Sequence, residues 1–387
     1  MNESTQIQGE TVVEVHGICA PSFEPVREAF IANFEQGLDV GASVAVTRDG
    51  EFVVDLWAGD ADENGTPWEK DTIVNVYSTT KTMAATCVLM LADRGEIDLY
   101  APVAKYWPEF AQNGKEGVLV ANVMSHSAGL SGFDQPAPKD LYDWDDIVER
   151  LAKQAPWWEP GTRSGYHAVT QGFLQGEIVR RVTGRSIGTF FREEVAEPLG
   201  ADFHIGLDPV HDKRMGELIP PKTGLGAISM DPNSIAARTF GGPEMDGTEP
   251  RTTEWRRAEI PAAGGIGNAR SVARVHSALA CGGTVDGVTL MSAAGVERVL
   301  DEQTRGKDMV LGMPVVFGMG FGLSDPSWPI SPNPRAFFWG GWGGSLAVID
   351  LDVRVSIAYV MNRMEANLMG DPRGAGVTKA AFESLAG

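Results

Sequence analysis

Residues 73–95 read IVNVYSTTKTMAATCVLMLADRG: a short apolar run, then S-x-x-K, then a long apolar helix pattern closed by a glycine. Ser78 and Lys81 are three residues apart, so on a helix they share one face and the amine reaches the hydroxyl. A serine hydroxyl is a weak nucleophile without an adjacent base, and the positive end of the helix dipole favours its alkoxide. The stretch therefore predicts a nucleophile, Ser78, activated by Lys81. The alternative is a helix cap beside a solvated lysine.

A second motif, PGTRSGYHA at residues 160–168, directly precedes a helix pattern at residues 170–182. A tyrosine on such a loop acts as a general base when a nearby cation lowers its pKa from about 10. Tyr166 is therefore a candidate base for Ser78. The alternative is a half-buried tyrosine that only packs.

A glycine-rich segment, FWGGWGGS at residues 338–345, leads into an apolar run typical of a strand. Glycines beside a strand allow another backbone or a ligand to approach closely, and a backbone N–H there can point at an oxyanion. The segment therefore predicts part of a substrate site. The alternative is a glycine-rich turn packed under tryptophans.

The rest of the chain is strand-rich at both ends and helical between them. Asp49-Gly50 is a strong turn signal between two apolar runs, which predicts a β-hairpin. Strands are predicted at 42–47, 52–57, 314–322, 344–350 and 353–361, helices at 23–36, 79–94, 170–182 and 377–385, and long loops within 202–259. The prediction is an α/β fold: an antiparallel sheet formed from N- and C-terminal segments, flanked by helices, with a mainly helical insertion.

Composition limits the classes of partner and compartment. The 387 residues are 43% hydrophobic and carry a net charge of −20. A body this acidic repels phosphate backbones and anionic lipids, so neither nucleic acid nor a membrane is expected as a partner. The three cysteines are scattered and the first residues do not resemble a signal peptide, so no metal site is predicted and a cytoplasmic location is expected. No cofactor is predicted, and the oligomeric state is left open.

Taken in order, S-x-x-K, P-G-x-x-x-x-Y and the glycine-rich strand resemble the serine β-lactamase and penicillin-binding superfamily. The class C-like branch fits best, because residues 123–130, VMSHSAGL, are similar to its L-x-x-H-T-S-G-L segment. The resemblance runs from about Ala42 to the C-terminus. It implies an α/β subdomain of residues 12–77 and 235–387, a helical subdomain of residues 78–234, and an active site in the cleft between them.

The resemblance also implies roles for individual residues. Ser78 corresponds to the acyl-accepting nucleophile, Lys81 to its activating partner and Tyr166 to the tyrosine base. The backbone N–H groups of Ser78 and Trp342 correspond to the oxyanion hole. His126 is expected to be a buried structural histidine.

Two departures from the superfamily's motifs indicate the substrate. The Y-x-N motif reads YHA, so the amide that holds an amide-type substrate is missing, and K-T-G reads WGG, so an indole replaces the cation that holds a substrate carboxylate. Loss of such a charge-assisted hydrogen bond costs about 1.5–3 kcal/mol. The WGG segment resembles the family VIII carboxylesterases. The expected substrate-binding residues are then Tyr77, Phe133, Trp157, Trp158, His167, Trp339, Gly340 and Gly341, with Phe337 and Trp342 as further candidates for an aromatic wall.

The sequence therefore predicts a serine hydrolase that cleaves neutral short-chain or aromatic carboxylic esters through an acyl-enzyme on Ser78, with a small-molecule ester as its partner. Within the same chemistry, a β-lactamase, a D-amino-acid peptidase or amidase, and an acyltransferase remain alternatives. A catalytically idle ligand-binding domain is the alternative of another class.

Two similar-looking segments do not fit these roles. Lys222-Thr223-Gly224 spells K-T-G but lies in the loop-rich region, with far more chain after it than a strand pair and a closing helix need. Residues 343–347, GGSLA, resemble a G-x-S-x-G nucleophile elbow, but Ala347 breaks the pattern and a strand follows. Ser345 is therefore not expected to be the nucleophile.

Overall fold

A computed structural model describes residues 13–222, 231–326 and 328–386. Its strands are β1 (Val15–Cys19), β2 (Gly41–Arg48), β3 (Glu51–Gly59), β4 (Val74–Asn75), β5 (His204–Ile205), β6 (Gly265–Gly267), β7 (Thr284–Val285), β8 (Val288–Thr289), β9 (Thr304–Lys307), β10 (Pro314–Phe317), β11 (Gly322–Leu323), β12 (Ala336–Gly340), β13 (Leu346–Asp350) and β14 (Val355–Met361). Its helices are α1 (Glu24–Glu35), α2 (Thr80–Asp93), α3 (Val120–Met124), α4 (Trp144–Lys153), α5 (Thr170–Thr183), α6 (Ile187–Phe191), α7 (Glu197–Leu199), α8 (Ile235–Thr239), α9 (Thr253–Arg257), α10 (Ala269–Ala280), α11 (Ala293–Glu297) and α12 (Pro372–Ala386).

Nine of these strands form one antiparallel sheet, in the order β1-β3-β2-β14-β13-β12-β11-β10-β9. The N-terminal strand β2 pairs along its length with the C-terminal strand β14, from Ala42 opposite Met361 to Arg48 opposite Val355. The two ends of the chain therefore complete a single sheet. The predicted fold class is confirmed.

Helices cover both faces of this sheet. The Ser43 hydroxyl in β2 accepts the backbone N–H of Ala269, so one face lies under α10. Tyr359 in β14 pairs with Val44, the next residue of β2, and its hydroxyl reaches Asp39 beside α12. Because successive side chains of a strand point to opposite faces, α12 and the adjoining α1 cover the second face. Strands covered on both faces read as continuous apolar runs, as β2 and β14 do.

Local sequence signals set the elements that carry the site. The β2–β3 hairpin turns at Asp49 and Gly50, whose φ values of +52° and +90° are those that an Asp-Gly turn favours. α2 begins after a 3₁₀ turn at Tyr77–Thr79 and is buried along nearly its whole length. α5 ends at Gly184, whose φ of +71° is the left-handed helix cap that glycine supplies. Both helices lie within two residues of their predicted bounds.

Other elements differ from the prediction for physical reasons. The strand predicted at 314–322 is two strands, because Gly318 and Gly320 form a tight turn between them, with a φ of +88° at Gly320. The closing helix begins earlier, at Pro372, since proline suits a first helical turn. α10 was not predicted; the side chain of Asn268 caps its first turn.

The subdomain boundaries remain predictions. α8 directly follows the predicted boundary at residue 234, yet its Thr239 hydroxyl is 2.7 Å from that of Ser131, in the predicted helical subdomain. The short strand β5 likewise pairs with β6 across that boundary. Within the part of the chain that the structure describes, no helix is long and apolar enough to span a membrane.

Candidate active site

Ser78 lies in the 3₁₀ turn between β4 and α2. The residue before it, Tyr77, has a φ of +42°, which is uncommon for a non-glycine residue. Thr80 supports this backbone: its hydroxyl donates to the Tyr77 carbonyl at 2.5 Å and accepts the Gly265 N–H at 2.8 Å. Ser78 is 8% exposed, so a small part of the residue is open to solvent.

Lys81, in the first turn of α2, is almost fully buried and contacts Ser78 directly. Its Nζ is 3.0 Å from Ser78 Oγ and 2.9 Å from the Tyr166 hydroxyl. The same nitrogen donates to the carbonyls of Ala168 at 2.7 Å and Ala262 at 2.9 Å. Burial holds the pKa of Lys81 well below its usual value. A neutral amine has two N–H groups for the two carbonyls and a lone pair for the hydroxyls, so Lys81 is arranged to accept a proton.

The Tyr166 phenol connects Ser78 to Lys81. Its oxygen makes a short hydrogen bond with Ser78 Oγ, and Lys81 Nζ lies 4.7 Å from the centre of its ring. Burial raises the pKa of Tyr166, and the neighbouring Ser78 hydroxyl and Trp339 indole offset this only in part. The phenol is therefore protonated at rest. The expected lowering of its pKa by a cation is not found; burial also lowers the pKa of Lys81 and so disfavours the charged form of the amine.

The turn after β12, Gly341–Ser345, packs against Ser78, the predicted nucleophile; we call it the oxyanion turn, after the role predicted for its Trp342 N–H. The Gly341 N–H donates to the Ser345 carbonyl at 2.8 Å, which closes the turn. A Cβ on Gly341 would lie 2.2 Å from the Val76 carbonyl oxygen and 3.3 Å from the Ser78 nitrogen, so only glycine fits. Within the described ranges, the backbone N–H groups of Ser78 and Trp342 donate to no protein acceptor. These are the predicted oxyanion donors, and both are available to a developing negative charge.

Ser345 links the oxyanion turn to residues on either side of Ser78. Its hydroxyl donates to the Val76 carbonyl at 2.8 Å and is 2.9 Å from the Thr79 hydroxyl. In the sequence, this serine stands out only as the centre of the broken G-x-S-x-G pattern. The contact has no local sequence signal, because its two partners lie 269 and 266 residues away.

Trp339, in β12, forms a wall behind Tyr166. Its ring is 5.6 Å from that of Tyr166 and 5.5 Å from those of His126 and Phe317. The rings of Trp339, Tyr166 and Phe317 belong to an apolar cluster separate from the main core. The cluster has partly exposed members that sequence analysis missed: Ile235, Phe240, Leu311, Met313, Trp328 and Met369. The surroundings of the tyrosine are thus apolar and aromatic.

His126 and His167 support the backbone around Tyr166, and both are neutral. The backbone N–H of His167 donates to His126 Nδ1 at 3.0 Å. The His167 ring accepts the Leu130 N–H at Nε2, 3.1 Å away, and donates from Nδ1 to the Gly165 carbonyl at 2.6 Å. Burial lowers the pKa of His167 to about 3 and holds that of His126 well below its usual value. The predicted substrate contact of His167 is therefore corrected to a structural role, since its ring is buried and both nitrogens are occupied.

Three more predicted pocket residues face the interior. Phe133 and Phe337 are at most 3% exposed within the main apolar core, and Phe337 packs edge-on against Phe321 at 4.9 Å. A Cβ on Gly340 would lie 2.6 Å from the backbone of Met369. This packing corrects the expected substrate contact of Phe133 and of the Phe337 ring, because neighbouring side chains surround both rings.

The remaining aromatics lie behind the oxyanion turn or on the loop before Tyr166. The Tyr77 hydroxyl donates to Glu249 at 2.9 Å, and its ring is 5.0 Å from that of Trp342. Both rings are nearly fully buried, so they pack on the interior side of the oxyanion turn. Trp157 and Trp158 are half-buried and keep exposed ring surface, so their place in the pocket wall remains a prediction.

Asp308 is a further residue that sequence analysis missed. It is fully buried, and its Oδ1 accepts the backbone N–H groups of Tyr166 at 3.1 Å and of Val310 and Leu311 at 2.8 Å each. The carboxylate therefore fixes the backbone that carries the phenol. An isolated aspartate in a loop gives no sequence signal for such a role.

The structure describes only the first residue of the Lys222-Thr223-Gly224 segment. Lys222 is exposed, while Thr223 and Gly224 lie outside the described residues. Across residues 13–222, 231–326 and 328–386, no three His, Cys, Asp or Glu side chains are grouped closely enough to hold a metal ion.

Comparison with known sequences identifies the family. The family model described as Beta-lactamase matches residues 30–381, so the chain belongs to the β-lactamase family. Esterase/beta-lactamase LipL of Mycobacterium tuberculosis is 37% identical, over 92% of this chain and 84% of its own length. Esterase EstB of Burkholderia gladioli is 28% identical, over 88% of this chain and 91% of its own.

Solved structures agree with this assignment. A family VIII carboxylesterase is 45% identical, with a TM-score of 0.89 over 96% of this chain and 100% of its own. A penicillin-binding protein homologue from Caulobacter crescentus is 41% identical, with a TM-score of 0.90 over the same shares. The resemblance to the β-lactamase and penicillin-binding superfamily, and to the family VIII carboxylesterases, is confirmed.

Proposed function

We propose that this chain is a carboxylesterase of the serine hydrolase class, acting on neutral esters with short-chain or aromatic acyl groups. The observation that carries the proposal is the contact of Lys81 Nζ with both Ser78 Oγ, at 3.0 Å, and the Tyr166 hydroxyl, at 2.9 Å. A nucleophile, a proton acceptor and a phenol between them are the parts that acyl transfer requires. The names of the esterase and carboxylesterase relatives support the same reaction.

In acylation, Ser78 Oγ attacks the ester carbonyl carbon. The serine proton passes to the Tyr166 oxygen while the phenol proton passes to Lys81 Nζ, so the amine ends with the proton. The backbone N–H groups of Ser78 and Trp342 bind the oxyanion of the tetrahedral intermediate. When the ester C–O bond breaks, Tyr166 gives its proton to the leaving alkoxide and recovers one from Lys81. The alcohol departs and the acyl group stays on Ser78.

In deacylation, water takes the place of the departed alcohol and the same groups act again. Tyr166 accepts the water proton and passes its own to Lys81 as the oxygen attacks the acyl carbon. Collapse of the second intermediate returns the proton to Ser78 Oγ and releases the acid. An alcohol in place of water would give acyl transfer through the same steps.

The surroundings of Tyr166 support a neutral substrate. Trp339 stands where the superfamily's K-T-G motif has its cation, and its ring packs within an apolar cluster. Ala168 stands where Y-x-N has its amide, and its carbonyl is already bonded to Lys81. Neither position supplies the cation or the amide of those motifs: Ala168 has only a methyl group, and Trp339 has a neutral, buried indole N–H. We therefore propose that ester hydrolysis is the main activity and that β-lactam hydrolysis, if present, is the weaker one.

A panel of p-nitrophenyl esters of rising acyl length, assayed beside nitrocefin, tests the proposal. We expect kcat/KM for the best ester to exceed that for nitrocefin by about tenfold or more, the factor that a missing charge-assisted hydrogen bond removes. Ser78→Ala should abolish both activities. The matched control is Ser384→Ala, in α12, where the hydroxyl makes a single hydrogen bond among the described residues, to the Ala380 carbonyl. Predominant turnover of nitrocefin would reverse the order, and activity in Ser78→Ala would refute the site.

We also propose that the enzyme works in the reducing cytoplasm. Cys19, Cys87 and Cys281 are all free, as expected where thiols stay reduced. Cell fractionation followed by activity staining tests this. Enrichment of the ester hydrolase in the medium or the membrane fraction would contradict it.

A further inference from the structure

A buried ion cluster lies behind the oxyanion turn. Arg373, in the first turn of α12, donates from Nη2 to the Gly343 carbonyl at 2.7 Å. The same guanidinium pairs with Asp371 at 2.5 Å and with Asp39 at 2.9 Å. The arginine side chain is 2% exposed, and those of its two partners are at most 1% exposed. The turn thus rests on charges that solvent does not reach.

Every donor of the guanidinium is used within the protein. Arg373 Nε donates to Asp371 at 3.1 Å, and Nη1 donates to the carbonyls of Leu38 at 3.2 Å and Arg363 at 2.9 Å. The cluster therefore joins four segments: the loop after α1, the end of β14, the start of α12 and the oxyanion turn. No donor is left to bind a ligand, so Arg373 acts through the backbone that it holds.

The glycines of the turn make its shape depend on this support. Gly343 and Gly344 have φ values of +100° and +127°, which L side chains rarely adopt. A Cβ on Gly344 would lie 2.3 Å from Asp371 Oδ2 and 2.6 Å from Arg373 Nη2, so the backbone lies directly on the ions. Trp342, whose N–H is one of the two oxyanion donors, immediately precedes these glycines.

We infer that Arg373 is a positioning residue: through the Gly343 carbonyl it fixes the direction of the Trp342 N–H. The inference rests on the proposed function, which gives that N–H an oxyanion to bind. A buried ion cluster is a poor source of stability compared with apolar packing. The cluster instead holds the turn that carries the Trp342 N–H. Loss of one oxyanion donor lowers kcat by about 10²–10³-fold, so holding this donor in place has a large effect on the rate.

The test compares Arg373→Lys with Arg270→Lys. Lysine keeps the positive charge but lacks the planar fork that reaches Gly343 and the two carboxylates together. We expect kcat per active site to fall by about 10–100-fold with KM changed less than about threefold, because the oxyanion bond strengthens only in the transition state. Active sites are counted from the p-nitrophenol burst. Arg270, which pairs with Asp55 at 2.6 Å, is the control and should keep kcat within about twofold.

A second readout separates positioning from stability. Hydrogen bonds to the acyl carbonyl lower its infrared stretching frequency, so Arg373→Lys should move that band of the acyl-enzyme upward. Lower thermal stability with fewer active sites, but with unchanged kcat per site and an unchanged band, would overturn the inference. If Arg373→Lys does not fold, Gly344→Ala displaces the turn from the same contact, and an unchanged kcat per site there would also overturn it. A wild-type protein that does not hydrolyse p-nitrophenyl esters would instead refute the proposed function.

Discussion

A single methyl group on Gly341 is expected to remove most of the activity. The Cβ of Gly341→Ala would lie 2.2 Å from the Val76 carbonyl oxygen and 2.3 Å from Ser345 Oγ. Ordinary contacts are about 3.5 Å, so the oxyanion turn must move by about 1 Å. A displacement of that size at a catalytic group costs up to about 10²-fold in rate. The strained packing should also lower the free energy of unfolding by about 1–3 kcal/mol.

The assay for Gly341→Ala is kcat/KM with a p-nitrophenyl ester, normalised to burst-titrated active sites, beside a thermal unfolding curve. The matched control is Gly376→Ala in α12, where a Cβ has no neighbour within 4 Å. We expect about 10²-fold loss in the first variant and none in the second. A folded Gly341→Ala protein that keeps kcat/KM within about threefold of wild type would refute the placement of the oxyanion turn.

Three further predictions concern the proton relay and the wall. Tyr166→Phe should lower kcat by about 10²–10⁴-fold, and a loss of less than threefold would remove the phenol from the relay. Because burial holds the pKa of Lys81 well below its usual value and the amine works neutral, kcat/KM should rise with pH through that pKa and then level off. A pH profile that falls over this range would contradict the role of Lys81. Trp339→Lys should raise the nitrocefin-to-ester ratio of kcat/KM about tenfold by restoring a cation, and an unchanged ratio would remove the argument for neutral esters.

The fold could be predicted where local chemistry is sufficient. The Asp49-Gly50 hairpin, the α2 helix after S-x-x-K and the Gly184 cap all depend on short-range signals, and the structure has them within two residues. The short edge strand β1 could not be found, because its burial pattern has no clear alternation. The strand of the glycine-rich motif ends at Gly340, so Gly341 lies in the turn rather than in the strand.

The candidate site also has residues that the sequence predicted and contacts that it could not predict. Motif spacing predicted Ser78, Lys81 and Tyr166 as site residues, and the structure places them within hydrogen-bonding distance of one another. The contacts that hold them could not be predicted, because they are distant in sequence: the Asp308 carboxylate meets Tyr166 across 142 residues, and Arg373 meets Asp39 across 334. Aromatic residue type alone also overstated the pocket wall, since it does not separate core rings from those that line a cleft.

Covalent trapping tests the central claim, that Ser78 is the nucleophile, most directly. A p-nitrophenyl phosphonate should add one mass increment to the protein and release one equivalent of p-nitrophenol, because the serine oxygen displaces the leaving group at phosphorus. Peptide mapping should place the increment on Ser78, and the Ser78→Ala variant should take up none. An increment on Ser345, or equal labelling of Ser78→Ala, would contradict the account.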